Sequence, residues 1–68
     1  MNIKYNGEES IINGEPTLLE LLKERQIDSE TRGIAVAMND SVLPRSFWEE
    51  CYLSDGDRVE VIHAVQGG

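Results

Sequence analysis

The sequence predicts a small α+β roll, a mixed sheet packed on one main helix. Short runs with strand-like alternation flank a single run of helical period, in the order strand, strand, helix, strand, short strand, helical turn, strand. In 68 residues the apolar faces of the strands have only that helix to pack against. The first and last strands are expected to lie side by side at the centre of the sheet.

Met1, Ile3 and Tyr5 alternate with Asn2 and Lys4, the pattern of a half-buried strand. Asn6-Gly7 readily supplies the positive φ angles of a two-residue hairpin turn. Glu9 to Ile12 is then the returning strand, and the alternation does not decide whether Ile11 or Ile12 points inward. Asn13-Gly14-Glu15-Pro16 is a turn cluster. Thr17 and Glu20 have capping-box spacing, and Leu18, Leu21 and Leu22 share one helical face. The helix should reach Arg25 or Gln26, with Ile27 closing its apolar end.

Asp28 to Gly33 is a polar loop. Ile34, Val36 and Met38 of the third strand face one way, Ala35 and Ala37 the other. Asn39-Asp40 forms a second hairpin turn, returning through Val42-Leu43. Pro44 ends that strand because it has no N–H for the ladder. Ser46 to Glu50 is expected to form one helical turn, with Ser46 and Glu49 at capping-box spacing. Ser54-Asp55-Gly56-Asp57 turns the chain into the last strand, Arg58 to Ala64, with Val59 and Val61 inward and Glu60 and Ile62 outward. A domain of residues 1–64 and a flexible tail of residues 65–68, ending in Gly67-Gly68, follow from this reading.

Composition narrows the function classes. An apolar fraction of 40% with 28% charged residues fits a soluble globular domain and argues against disorder. No apolar run approaches the roughly 20 residues that span a bilayer, and Met1 to Lys4 does not open a signal peptide, so a cytoplasmic location is expected. Cys51 is the sole cysteine and has no internal disulfide partner. With His63 it is one of only two soft ligands, too few for a structural zinc site. Six basic against thirteen acidic residues give a formal charge of −7, which disfavours nucleic acid and anionic membranes as partners. A core this small leaves little room for a pocket that encloses a substrate.

Three stretches carry a resemblance. Val36-Ala37-Met38-Asn39, followed by Val42-Leu43-Pro44-Arg45 and Trp48, is similar to the Val-Asn…Val-Pro-Arg…Trp segment of the ThiS-type sulfur carriers of thiamine (thiazole) biosynthesis. Asp55-Gly56-Asp57-Arg58-Val59-Glu60 resembles the turn opening their last strand, and Ala64-Val65-Gln66-Gly67-Gly68 resembles their tail. With the order of elements, these stretches resemble the ubiquitin-like β-grasp family. The small subunit of molybdopterin synthase shares that fold and the Gly-Gly, but its tail carries prolines that this tail lacks.

The resemblance implies a β-grasp roll whose working group is the Gly68 carboxylate. A carboxylate is a poor electrophile because its leaving group would be an oxide. The resemblance implies that a ubiquitin-activating-like adenylyltransferase uses ATP to convert Gly68 to an acyl-adenylate. Sulfur from a cysteine desulfurase or persulfide protein then yields a thiocarboxylate, which thiazole synthase receives. The chain itself is expected to bind no cofactor or metal and to be a co-substrate rather than an enzyme. Physically the terminus suits this role. Glycine lacks Cβ, so Gly67 and Gly68 can thread a narrow cleft, and Val65 to Gly68 can reach at most about 13–14 Å.

Ala35, Ala37, Ile62 and Ala64 are expected to form a shallow apolar patch at the root of the tail, where a partner docks. Scattered surface apolar residues are an equally ordinary reading of the same pattern. Cys51, among Glu49 and Glu50, is expected to pack rather than react, because adjacent acids disfavour a thiolate. His63 is expected to be a strand residue, and Phe47 and Trp48 core lids. Arg45 has two candidate partners, an acidic group of another protein or an internal carboxylate. Three further classes share the sequence: a ubiquitin-like modifier joined through Gly68, a non-covalent module using only the sheet face, and a small thiol enzyme built on Cys51 and His63.

Overall fold

In the computed structural model, residues 1–63 are described. The sheet order is β2-β1-β5-β3-β4, built from β1 (Asn2–Tyr5), β2 (Glu8–Ile11), β3 (Ile34–Met38), β4 (Ser41–Val42) and β5 (Arg58–His63). Helix α1 (Leu18–Glu24) and a 3-10 turn (Arg45–Phe47) complete the elements. β1 and β5 run parallel in the interior of the sheet, and both outer pairs are antiparallel hairpins. The predicted mixed sheet on one helix is therefore the fold. The boundary drawn between residues 64 and 65 lies outside the described residues.

Both hairpins close through residues that take positive φ. Asn6 (φ 51) and Gly7 (φ 83) join Tyr5 to its cross-strand partner Glu8, and Asn39 (φ 51) and Asp40 (φ 71) join Met38 to Ser41. These are two-residue turns whose twist matches that of the strands they connect. The returning strand puts Ile12 in the core, 8% exposed, and leaves Ile11 80% exposed on the outer face. β4 is only two residues long, one position earlier than Val42-Leu43.

α1 is fixed at both ends by backbone chemistry. The Thr17 Oγ1 accepts from the Glu20 amide at 3.2 Å, and the Glu20 carboxylate accepts from the Thr17 amide at 3.0 Å. Such a cap contributes about 1 kcal/mol. The next orphan donors reach across the fold: the Leu18 and Leu19 amides donate to the Cys51 and Trp48 carbonyls at 2.7 and 3.1 Å. At the other end Gln26 takes φ 65, so that its amide donates to Lys23 O and the Ile27 amide to Leu22 O. This left-handed closure turns Ile27 back into the core.

Leu18, Leu21, Leu22, Ile3, Val36, Val59 and Trp48 are fully buried between helix and sheet. Trp48 Nε1 donates to the Leu43 carbonyl at 3.1 Å, so the indole brings no unpaired donor into the core. The 3-10 turn departs from expectation. Its N-cap is Pro44 in extended conformation with no side-chain cap, so the Ser46–Glu49 capping box does not form. Three residues of tight turn provide no α-helical N3 amide for Ser46 to hold. Phe47 is also not a core lid; it is 51% exposed, because Trp48 alone turns inward. No helix among the described residues is long and apolar enough to cross a membrane.

The Gln26 conformation gives a direct test. A left-handed residue with a Cβ costs more than glycine, while glycine adds entropy to the unfolded chain. The first effect should win, so Gln26→Gly is expected to raise stability by about 0.5–1 kcal/mol in urea unfolding. A variant less stable than the parent would refute this account of the helix end.

Candidate functional site

The candidate site is the end of β5, from which the chain runs on to Gly68. β5 is central, so it has a strand neighbour on each side. Toward β3 the register is antiparallel and continuous, from Met38↔Val59 to Ile34↔His63. Toward β1 it is parallel and short, with Lys4↔Arg58 and Tyr5↔Val59 the paired positions. On that side Lys4 N donates to Asp57 O at 2.9 Å, and Asn6 N donates to Val59 O at 2.8 Å. The chain then turns away at Asn6-Gly7.

The next rung is made by a side chain. The Val61 amide donates to Asn6 Oδ1 at 2.7 Å, where a continued β1 would have offered a carbonyl. β5 is thus held on both sides to Val61 and on one side only at Ile62 and His63. Asn39 performs the matching task at the strand's start: its Oδ1 accepts from the Arg58 amide at 2.9 Å, and its own amide donates to Arg58 O at 2.8 Å.

A second brace lies across the sheet. The Val36 carbonyl accepts from Leu43 N at 2.8 Å, so by the alternation of an antiparallel ladder the Ile34 carbonyl faces the same side, beyond the end of β4. Arg45 Nη2 donates to that carbonyl at 3.2 Å, while Nη1 donates to Ser29 O at 2.9 Å. The guanidinium carbon lies 5.1 Å from the centre of the Trp48 ring. Arg45 therefore pairs with no internal carboxylate among the described residues. It ties two backbone carbonyls of its own chain, at the strand residue paired with His63.

On the outer face of the sheet lie three of the four residues expected to form a docking patch. Ala35 and Ile62 are cross-strand neighbours and both are exposed, Ile62 by 51%. Ala37 is on the same face but only 8% exposed, flanked in register by Glu60 and Val42. As a contact residue it is corrected to the floor of the patch, because its methyl is shorter than the side chains beside it. Val42, 71% exposed, takes its place at the surface. Pattern reading placed Val42 in the returning strand but gave it no face. Ala64 of the patch, and Val65, Gln66, Gly67 and Gly68 of the tail, lie outside the described residues.

The remaining candidates do not assemble. Cys51 is half-buried, and its thiol donates to Met38 Sδ at 3.4 Å. Burial pushes its pKa up, and the Asp57 charge pushes the same way. The expected acids Glu49 and Glu50 are not the cause. His63 is an exposed strand residue paired with Ile34. Cys51 sits near Met38, at the opposite end of β3 from that pair, so the two do not form a catalytic couple. The Arg58–Asp40 ion pair at 2.7 Å is solvent-exposed on both sides, and such pairs contribute little. Among the described residues no cluster of three or more His, Cys, Asp or Glu side chains could hold a metal.

Comparison with known proteins follows the same geometry. Residues 3–68 match the ThiS family, a match that runs through both terminal glycines. Over all 68 residues the chain is 31% identical to the sulfur carrier protein ThiS of Escherichia coli and covers its whole length. It is also 34% identical to a stretch of a thiazole synthase from Paramagnetospirillum magneticum, spanning only 20% of that protein. The crystal structure of a thiamine biosynthesis protein (ThiS) from Geobacter metallireducens superposes with a TM-score of 0.83, at 30% identity and with full coverage of both chains.

The thiol chemistry predicts slow modification. Because its pKa is raised, Cys51 is expected to react with iodoacetamide at about pH 8.5 more slowly than the same residue in urea. The unfolded chain loses the thiol proton first, so native stability should fall as pH rises through the ordinary thiol range. Equal rates in the folded and unfolded chain would contradict the packing role.

Proposed function

The chain belongs to the ThiS family, and on that premise we propose that it is a sulfur carrier of thiamine biosynthesis whose Gly68 carboxylate is the group that changes. The observation that carries this is the family match, which extends to the last residue, together with the end-to-end match to a protein called a sulfur carrier. The described body supports it by what it offers: a five-stranded sheet whose central strand leads on toward Gly68, and exposed apolar side chains on its outer face.

The chemistry divides between partners. An adenylyltransferase joins the Gly68 carboxylate to the α-phosphorus of ATP, and pyrophosphate leaves. A persulfide anion attacks the acyl carbon; a carbon–sulfur bond forms, the carbon–oxygen bond to phosphate breaks, and AMP departs. A second thiol then cleaves the sulfur–sulfur bond of the resulting acyl disulfide. The products are a disulfide and the thiocarboxylate. Neither ATP nor the persulfide is held by this chain, which acts as co-substrate.

Thiazole synthase is the proposed acceptor. Support comes from the relative of that name, which contains a stretch similar to this whole chain. Docking is assigned to Ala35, Ile62 and Val42 on the outer face, with Ala37 beneath them and Ala64 following in sequence. Ile62 and Val42 offer exposed apolar surface there, with the small Ala35 beside Ile62, which suits contact with an apolar partner surface.

Two measurements test this reading. Incubated with its adenylyltransferase, ATP and a persulfide donor, the protein is expected to gain the mass of sulfur in place of oxygen. Deletion of Gly68, or one residue added after it, should abolish the gain; a gain that persists in either variant would sink the proposal. Ile62→Asp, on the exposed face, is expected to raise the half-saturating carrier concentration about tenfold or more, with unfolding unchanged. Half-saturation equal to the parent would place docking elsewhere.

A further inference from the structure

The end of β5 is unusual in how its pairing is completed. β1 runs out at Tyr5 and β4 at Val42, so both flanking strands stop short of the Ile34↔His63 pair. On each side one side chain supplies the missing rung. Asn6 Oδ1 takes the Val61 amide at 2.7 Å, and Arg45 Nη2 takes the Ile34 carbonyl at 3.2 Å. Arg45 is in turn held by Ser29 O and the Trp48 ring. Neither contact is needed to close its own turn. Asn6 serves the hairpin through its φ, and the 3-10 turn has its own backbone bonds, Phe47 N to Pro44 O and Trp48 N to Arg45 O.

From this geometry we infer that Asn6 and Arg45 are positioning residues for the reaction at Gly68, acting as a two-sided clamp on the strand pair that leads into the tail. The inference rests on the sulfur-carrier reading. A docked carrier presents its terminus to a cleft on a leash whose anchored point is the last fully held residue of β5. Each residue that peels from the sheet adds about 3.3 Å of free chain. A longer leash lowers the concentration of the carboxylate at the reacting centre, and of the described docking residues only Ile62 lies beyond the lost rung, while Ala35 and Val42 stay in place. The clamp therefore acts more on turnover than on affinity.

Asn6 offers a clean test, because glycine keeps the positive φ of the turn while removing the acceptor. Asn6→Gly is expected to lower the maximal rate of carrier-dependent ATP–pyrophosphate exchange by about threefold to tenfold. The half-saturating carrier concentration should change by a smaller factor, since Ile62 is the one described docking residue beyond the lost rung. Asn6→Asp, which retains an acceptor oxygen and tolerates the same φ, should restore the rate. In the free protein, hydrogen exchange at the Ile62 amide, one residue beyond the lost rung, should quicken about tenfold in Asn6→Gly and return in Asn6→Asp. Arg45→Lys, which cannot bridge two carbonyls with a planar fork, should behave like Asn6→Gly. An unchanged maximal rate, a loss carried wholly by half-saturation, or an Ile62 amide indifferent to Asn6→Gly would each overturn the clamp. A parent protein that supports no exchange would instead sink the carrier reading, and Ile62 exchange would still report on the clamp's geometry.

Discussion

The parallel pairing of β1 with β5 is the constraint on which the rest of this small domain depends. Parallel neighbours cannot be joined by a tight turn, so the chain between them must cross over and return. Here that crossover contains β2, α1, β3, β4 and the 3-10 turn. Lys4 and Arg58, partners across the pair, stand far apart in sequence. The helix reaches its place through the cap at Thr17 and the carbonyls of Trp48 and Cys51, which bind its first amides. Closing the central pair therefore also fixes the floor against which Leu18, Leu21 and Leu22 pack.

That arrangement has a functional corollary. The final strand is central, paired on both sides and buried at Val59 and Val61, yet it is the strand that continues into the terminus. The end proposed to carry the chemistry thereby follows directly on the central strand of the body. Side-chain amides mark both limits of the grip, Asn39 at its start and Asn6 near its end. Both asparagines also occupy the first position of a hairpin turn. One residue type satisfies two demands there: tolerance of a left-handed backbone, and an oxygen able to stand in for a strand carbonyl.

Much of this was legible in the residues, and the failures are as informative. Asn6-Gly7, Asn39-Asp40 and the Thr17–Glu20 box were readable because each is decided by local backbone geometry. The face to which Ala37 belongs was also readable, since alternation sets it. Its burial was not, because that depends on Val42 and Glu60 arriving on either side through pairing. The Ser46–Glu49 spacing misled: a sequence motif cannot show that the turn after Pro44 is too short for a capping box. Phe47 and Trp48 are adjacent and both apolar, and adjacency alone does not show which one is buried. Asn6 could not have been assigned its second task from its neighbours, since Val61 is brought to it by the whole fold. Of the candidate site, the outer patch was readable in outline and the bracing by Asn6 and Arg45 was not.

The brevity of β4 has a consequence beyond the domain itself. With two residues, and a proline two positions after Val42, this margin of the sheet offers almost no template on which a second molecule could build. The opposite margin is β2, where Glu8 and Glu9 bring negative charge to a strand that would otherwise invite stacking. Edge-to-edge growth of the sheet between copies of the described body is thereby disfavoured at both margins.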